Sequence, residues 1–282
     1  MQIVRFDGSD VSVEASSSDS AETVVLLGGA PNSRLFQPPA SIVEELDARL
    51  ITFDRPGYGK SSSSPKTDWA ASATRTTAIL DDLNIDTCRF VGWSAGAGHA
   101  WHAASAMGTR CQGLTIVSGV CSIGDERLFK SLPADSAGRL KLLRRAPIAL
   151  RRRMLRWVLT PTADRARSGP TDRIAEVVDR AGDHDTALLE RRDDRAMLEA
   201  DAEQAFAQGV EGWLTDALLM TQKWSADVAD DLPLRVIHGR DDTEVTIESG
   251  EAIADLANVS VEEVAGGHYW MLDNWIAVLG LW

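Results

Sequence analysis

In the stretch VGWSAGAGHA, Val91 to Ala100, a glycine stands two positions to either side of Ser94. A serine hydroxyl becomes a useful nucleophile only when it is held out of regular structure, beside a base and beside donors that take the charge it creates. A sharp strand-to-helix turn does this: the hydroxyl is exposed at the strand tip, and the next backbone NH points toward the reacting carbonyl. Such a turn crowds its neighbours. Glycines at 92 and 96 relieve the crowding by removing Cβ atoms that would strike the strand or the helix.

The turn needs a strand before it and a helix after it, and the surrounding pattern supplies both. QIVRF and VSVEA predict an N-terminal hairpin across DGSD, and TVVLLG and LITFD predict strands separated by a helix near Pro39 to Ala48. Asp68 to Leu83 reads as helix, Thr87 to Gly92 as strand, Ala95 to Met107 as helix and GLTIVSG as strand. Strand and helix in alternation imply a mostly parallel sheet covered on both faces, an α/β class fold. From Ser122 to Trp224 strand character vanishes. Arginine-rich helical segments with breaks at Pro147, Pro161 and Pro170 replace it, and LRVIHG and VSVEEV then restore the strands, with a last helix from Tyr269. The expected organisation is therefore a sheet core over 1–121 and 225–282, with 122–224 inserted as a helical cap. The cap holds 18 of the 29 Lys and Arg but only 17 of the 42 Asp and Glu, so it is nearly neutral at +1 and the core, at -14, carries the whole of the acidic excess.

A nucleophilic serine needs a base, and the base needs a carboxylate to fix its tautomer. Of the five histidines, His99, His102, His184, His238 and His268, only His268 in AGGHYW follows the HGRDD segment, and both segments leave the C-terminal ends of predicted strands. Asp242 is the expected acid and Asp241 the alternative, because two adjacent side chains cannot both face one imidazole. Either aspartate, or Thr243, could instead cap the helix that follows. His99 and His102 share a helix face by spacing and read as packed structural histidines. Trp93, Trp213 and Trp270 are candidate pocket residues, Trp224 lies with them, and ordinary cap-to-core packing is the competing reading.

Size and composition bound the rest. A chain of 282 residues with 44% apolar and 25% charged residues is an ordinary globular protein. Its net charge argues against nucleic acid and against an anionic membrane as partners. Cys88, Cys111 and Cys121 sit in or beside apolar runs and read as reduced core thiols, with no metal spacing among them. The N-terminus lacks a signal-peptide pattern and no apolar run is long enough to span a bilayer, so a cytoplasmic location is expected. The basic run KLLRRAPIALRRRMLRW, interrupted by Pro147, reads as a solvated helix face rather than a lipid-binding one.

Taken in order, FDRPGYGKS, VGWSAGAGH, HGRDD and GGH resemble bacterial members of the α/β-hydrolase superfamily, and the likeness extends to QGVEGWLTD at the end of the cap. The resemblance implies a sheet of about eight strands with a lid. It carries the nucleophile onto Ser94, the acid onto Asp242 and the base onto His268, and it places the oxyanion donors at the NH groups of Ala95 and Ala30. One loop departs from the pattern. Where relatives commonly read HGxPG, this chain reads LGGAPNS, with Gly28 in place of the histidine and Asn32 in place of the last glycine. The expected activity is hydrolysis of an ester, lactone or thioester in a small-molecule substrate, without metal or organic cofactor. Carbon-carbon bond hydrolysis, a cofactor-free lyase step and a catalytically weak ligand-binding protein remain alternatives that fold alone does not separate.

Overall fold

Asp7 and Gly8 both take positive φ, 49° and 72°, the backbone of a tight hairpin turn. They join β1 (Gln2–Phe6) to β2 (Ser9–Ala15), and β2 pairs antiparallel with β4 (Arg49–Phe53). The β1–β2 pairing is antiparallel as well and the remaining five are parallel, giving an eight-stranded sheet in the order β1-β2-β4-β3-β5-β6-β7-β8. The remaining strands are β3 (Thr23–Leu27), β5 (Cys88–Trp93), β6 (Cys111–Val117), β7 (Leu234–Gly239) and β8 (Val261–Val264). The computed structural model describes residues 1–18, 20, 22–124, 126, 141 and 143–280; the rest of the expected cap, including 127–140, lies outside the described residues.

The central strands are buried on both faces and read accordingly as continuous apolar runs. In β3, Val25 and Leu27 point into one core with Ile79, Ala97, Trp101 and Ile253, while Val24 and Leu26 point into another with Phe36, Ile174, Leu188 and Trp275. The helices α1 (Ala40–Glu45), α2 (Trp69–Asp82) and α3 (Gly96–Met107) alternate with the strands as expected. Between β6 and β7 the described residues include the helices α4 (Ile148–Ser168), α5 (Pro170–Val178), α6 (Asp183–Leu189), α7 (Arg192–Ala205) and α8 (Glu211–Met220). After β7 come α9 (Ile247–Leu256), a short 3-10 turn over Trp270–Asp273 and α10 (Trp275–Leu279), so the single last helix expected from Tyr269 is two short ones.

The helical segment is not a detached lid, because Ile174, Leu188, Leu198 and Ala202 belong to the same apolar cluster as the sheet. One proline behaves differently from expectation. α4 runs straight through Pro161 instead of stopping there. The ring leaves the Trp157 carbonyl without an intrahelical donor, and at 81% exposure Trp157 stands in water, which can serve instead. Cys88 and Cys111 are partners in the β5–β6 register and, like Cys121, are buried outside any disulfide. Among the described residues no helix is long and apolar enough to cross a membrane.

Strand order fixes where a site can form. From β3 the chain moves outward to β4 on one side, then returns to β5 on the other, so the sheet reverses direction between β3 and β5. Loops leaving those two strands diverge, and the crevice between them is where open α/β sheets bind ligands. The loop after β3 is Gly28 to Asn32, and the turn after β5 carries Ser94.

Candidate active site

Ser94 takes φ 54°, a left-handed conformation uncommon for a residue with a Cβ. The surrounding structure holds it there: the Ser94 NH donates to Val117 O at 3.0 Å, and its carbonyl accepts from Ala97 and Val120. The two flanking glycines are required by contact. A Cβ on Gly96 would collide with the Leu27 carbonyl, and one on Gly92 would sit 2.8 Å from both Ala97 Cα and Ala100 Cβ.

The β3 loop lies against this turn, since a Cβ on Gly29 would come within 3.1 Å of Ser94 Cβ. Among the described residues the backbone NH groups of Ala30 and Ala95 donate to no acceptor. Ser94, Ala30, Trp93 and His268 line one cavity of about 370 Å³, and Ala95 sits buried directly behind the serine.

His268 is held on both sides. Its Nδ1 donates to Asp242 Oδ2 at 2.8 Å, which leaves Nε2 as the free ring nitrogen. The other oxygen of Asp242 accepts from the NH groups of Glu244 and Val245 at 2.9 and 2.8 Å, so the carboxylate cannot swing away. Asp241 is exposed, and the N-cap of α9 is Thr246, with no side-chain cap, so helix capping explains neither aspartate. Burial alone would push the His268 pKa down, but the bond to Asp242 and the charges of Asp242 and Glu244 raise it above its ordinary value. Burial likewise favours the neutral form of Asp242, yet His268 draws its pKa below the usual carboxylate range. No hydrogen bond joins Ser94 to His268 among the described residues. Such a link commonly tightens only with substrate in place.

Three carboxylates that sequence reasoning passed over bind the helical segment to the loops of the site. Asp185, on α6, accepts from the NH groups of His268 and Tyr269 at 2.7 and 3.0 Å. It sits where a Cβ on residue 267 would be, which is why the segment reads GGH. Asp201, on α7, accepts from Asn32 Nδ2 at 2.5 Å and from the NH and hydroxyl of Ser33, each at 2.8 Å. Asp216, on α8, accepts from Arg55 at 2.6 Å, Tyr58 at 2.9 Å and His99 Nε2 at 3.0 Å. Arg55 in turn donates to the carbonyls of Gly28 and Gly29, so Asp216 braces the β3 loop from behind.

These contacts account for the loop's departure from the HGxPG pattern. Asn32 stands where relatives have glycine because its amide anchors the loop to Asp201. The space a histidine at 28 would need is filled: a Cβ there would meet Asn32 Cβ at 3.1 Å and Phe36 at 3.2 Å, and Phe36 stacks on Trp93 with ring centroids 4.5 Å apart. His99 is structural, as expected. Burial lowers its pKa despite Asp216, so the neutral ring donates from Nε2 and accepts the Ser72 hydroxyl at Nδ1, 2.6 Å away. His102 stacks on Trp69 and bonds the Gly98 carbonyl.

The aromatic candidates divide. Trp93 lines the cavity, tilted 5.1 Å from the His268 ring, and donates to the His268 carbonyl at 3.0 Å. Trp213 does not reach the cavity, because it packs edge-on against Phe206 inside the helical segment, and Trp270 turns away to pack beside Gly266. Their place is taken by Tyr269 and Phe206. Among the described residues no group of three His, Cys, Asp or Glu side chains converges as metal ligands would.

The model of the family described as "Alpha/beta hydrolase family" matches residues 24–280. The chain belongs to the alpha/beta hydrolase family. Solved structures repeat the fold over nearly the whole chain. The enol-lactonase from Burkholderia xenovorans LB400 superposes with a TM-score of 0.67 at 17% identity, covering 98% of this chain and 96% of that one. A thermophilic esterase from Thermogutta terrifontis gives 0.66 at 21% identity, covering 99% and 96%. A bromoperoxidase from Bacillus anthracis gives 0.64 at 16%, covering 96% and 95%. A search of curated proteins finds no match. At these identities the likeness to solved structures concerns the fold, and the chemistry has to be argued from the site.

Proposed function

We propose that this protein is a serine hydrolase of ester, lactone or thioester bonds, working through Ser94, His268 and Asp242. One observation carries the reading: a serine forced to positive φ at the tip of β5 shares a cavity with an imidazole whose far nitrogen is bound to a buried, doubly anchored carboxylate. Ser94 Oγ attacks the substrate carbonyl as His268 Nε2 takes its proton, and Asp242 stabilises the imidazolium. The carbonyl oxygen, now negative, is received by the NH groups of Ala30 and Ala95, which have no competing acceptor among the described residues. Collapse of the tetrahedral adduct expels the alcohol or thiol, which takes the proton back from His268 and leaves an acyl-serine. Water then gives a proton to His268, attacks the acyl carbonyl and releases the acid, with the proton returning to Ser94.

The test requires no knowledge of the substrate. A fluorophosphonate should add to the folded protein at one site, read as an intact-mass shift that maps to Ser94 and disappears in Ser94→Ala. A folded protein that stays unlabelled at pH 8 would refute an activated serine.

A further inference from the structure

The wall that α5 contributes to the cavity carries cations in a strongly acidic protein. Arg173 on α5 and Arg180, just beyond its end, both line the cavity. Two buried arginines elsewhere in the molecule are well bonded: Arg55 bonds Asp216 and two carbonyls, and Arg34 bonds Asp54 at 2.9 Å. Arg173 is different. Its side chain is only 15% exposed, yet its guanidinium makes no hydrogen bond among the described residues, and its nearest carboxylate is Glu176 at 3.5 Å. The same Glu176 faces Arg180 and Arg165, each also at 3.5 Å, so three cations share one anion.

The carboxylates bordering the cavity do not answer this charge. Asp201 is occupied by its three donors from Asn32 and Ser33, and Glu244 lies beside Tyr269 and the His268 ring. Arg173 is also close enough to influence the Tyr269 hydroxyl, next in the chain to His268, which puts its charge within the site. Around it Ile174, Val177 and Leu198 make an apolar surface suited to methylene groups. At about 370 Å³ the cavity is near the small end for ligand sites, so a bound molecule has few atoms between its ends.

We propose that the substrate is a small ester or lactone whose acyl part ends in a carboxylate, received by Arg173 with Arg180 at the rim; this rests on the hydrolase reading above. A guanidinium with open donors binds a carboxylate through two parallel bonds, and it does so more strongly where apolar walls exclude water.

Two chromogenic esters of matched shape test it: the mono-4-nitrophenyl ester of glutaric acid and 4-nitrophenyl 5-methylhexanoate, in which an isopropyl end replaces the carboxylate. The native protein should favour the glutarate ester in kcat/KM by about tenfold or more, a difference of about 1.4 kcal/mol. Arg173→Gln should reduce that ratio about tenfold, mainly through KM, Arg173→Lys should retain part of it, and added salt should shrink it. Preference for the neutral ester, or an equal loss on both esters in Arg173→Gln, would overturn the proposal. If neither ester reacts and the fluorophosphonate does not label, thermal unfolding with free glutarate separates the two readings. Stabilisation of the native protein but not of Arg173→Gln would keep the anion site while ending the hydrolase reading, and stabilisation of neither would end both.

Discussion

Asp242 and Asp201 reach the same site from opposite sides, one from the sheet and one from the helical segment, and they end in opposite states. Both are removed from water, which by itself favours the neutral acid. Asp242 faces an imidazole and two backbone NH groups, and its pKa falls below the ordinary range. Asp201 faces an amide, a hydroxyl and one NH, none of them charged, with Asp54 adding repulsion, and its pKa climbs to about 7. Asp216 extends the contrast within the helical segment itself: it is as buried as Asp201, but Arg55 and His99 outweigh the burial and hold it well below the usual range. Burial therefore does not decide whether a carboxylate here is an ion. The charge of its partner does.

The largest effect expected from this contrast is on turnover. If Asp242 works as an ion that holds the Nδ1–H tautomer of His268, Asp242→Asn should lower kcat on an activated ester by about 10⁴, roughly 5 kcal/mol of transition-state stabilisation. Asp241→Asn, at an exposed position, should change kcat by less than about threefold. Steady-state kinetics of the two variants with the same ester settle the order, and a larger loss at 241 would mean that the carboxylate has been misassigned.

Next in size is stability at the brace behind the β3 loop. Asp216→Ala leaves the Arg55 guanidinium buried without its counter-charge and should cost about 3 to 5 kcal/mol. Asp201→Ala strands only neutral donors and should cost about 1 to 3 kcal/mol. Urea unfolding at pH 7 compares them. Equal losses would erase the distinction between the ion and the neutral anchor.

The smallest effect is a slope with pH. Because the folded pKa of Asp201 lies above its unfolded value, the stability it contributes is complete below about pH 4 and is lost as pH rises through about 7. Asp216 has the reverse sign: its contribution is present above about pH 4 and lost as pH falls. Asp201→Asn removes the titrating group, and Asn32 can turn its amide oxygen toward the new side chain. The stability of the native protein relative to this variant should therefore fall by about 2 to 3 kcal/mol between pH 5 and pH 8.5. A gap that does not change over this interval would show Asp201 to be ionised throughout.

By itself the sequence determined the sheet, the strand-to-helix turn at Ser94 and the order of Ser94, Asp242 and His268. These are legible because they follow from local constraints: apolar periodicity, glycines where a Cβ would collide, and loops that leave strand ends. Asp242 was the expected acid, but local pattern left Asp241 open as the alternative, since both residues fit an acid or a cap until the His268 ring is in place. Nor could it separate Trp93 from Trp213 and Trp270, because an aromatic residue reads the same in a cavity wall and in a helix interface.

Only the tertiary structure assigned Asp185, Asp201 and Asp216, each lying on a helix that carries at least one other acidic residue. A faint signal does exist, for Asp201 shares a helix face with Leu198 and Ala205, and Asp216 is set among Leu214, Leu218 and Leu219. A carboxylate on an apolar stripe must find partners elsewhere in the chain. Which partners it finds, Arg55 and His99 across about 160 and 120 residues or the uncharged Asn32 and Ser33 across about 170, depends on how the helical segment lies on the sheet. That packing sets the charge of each carboxylate. No spacing within the helices encodes it.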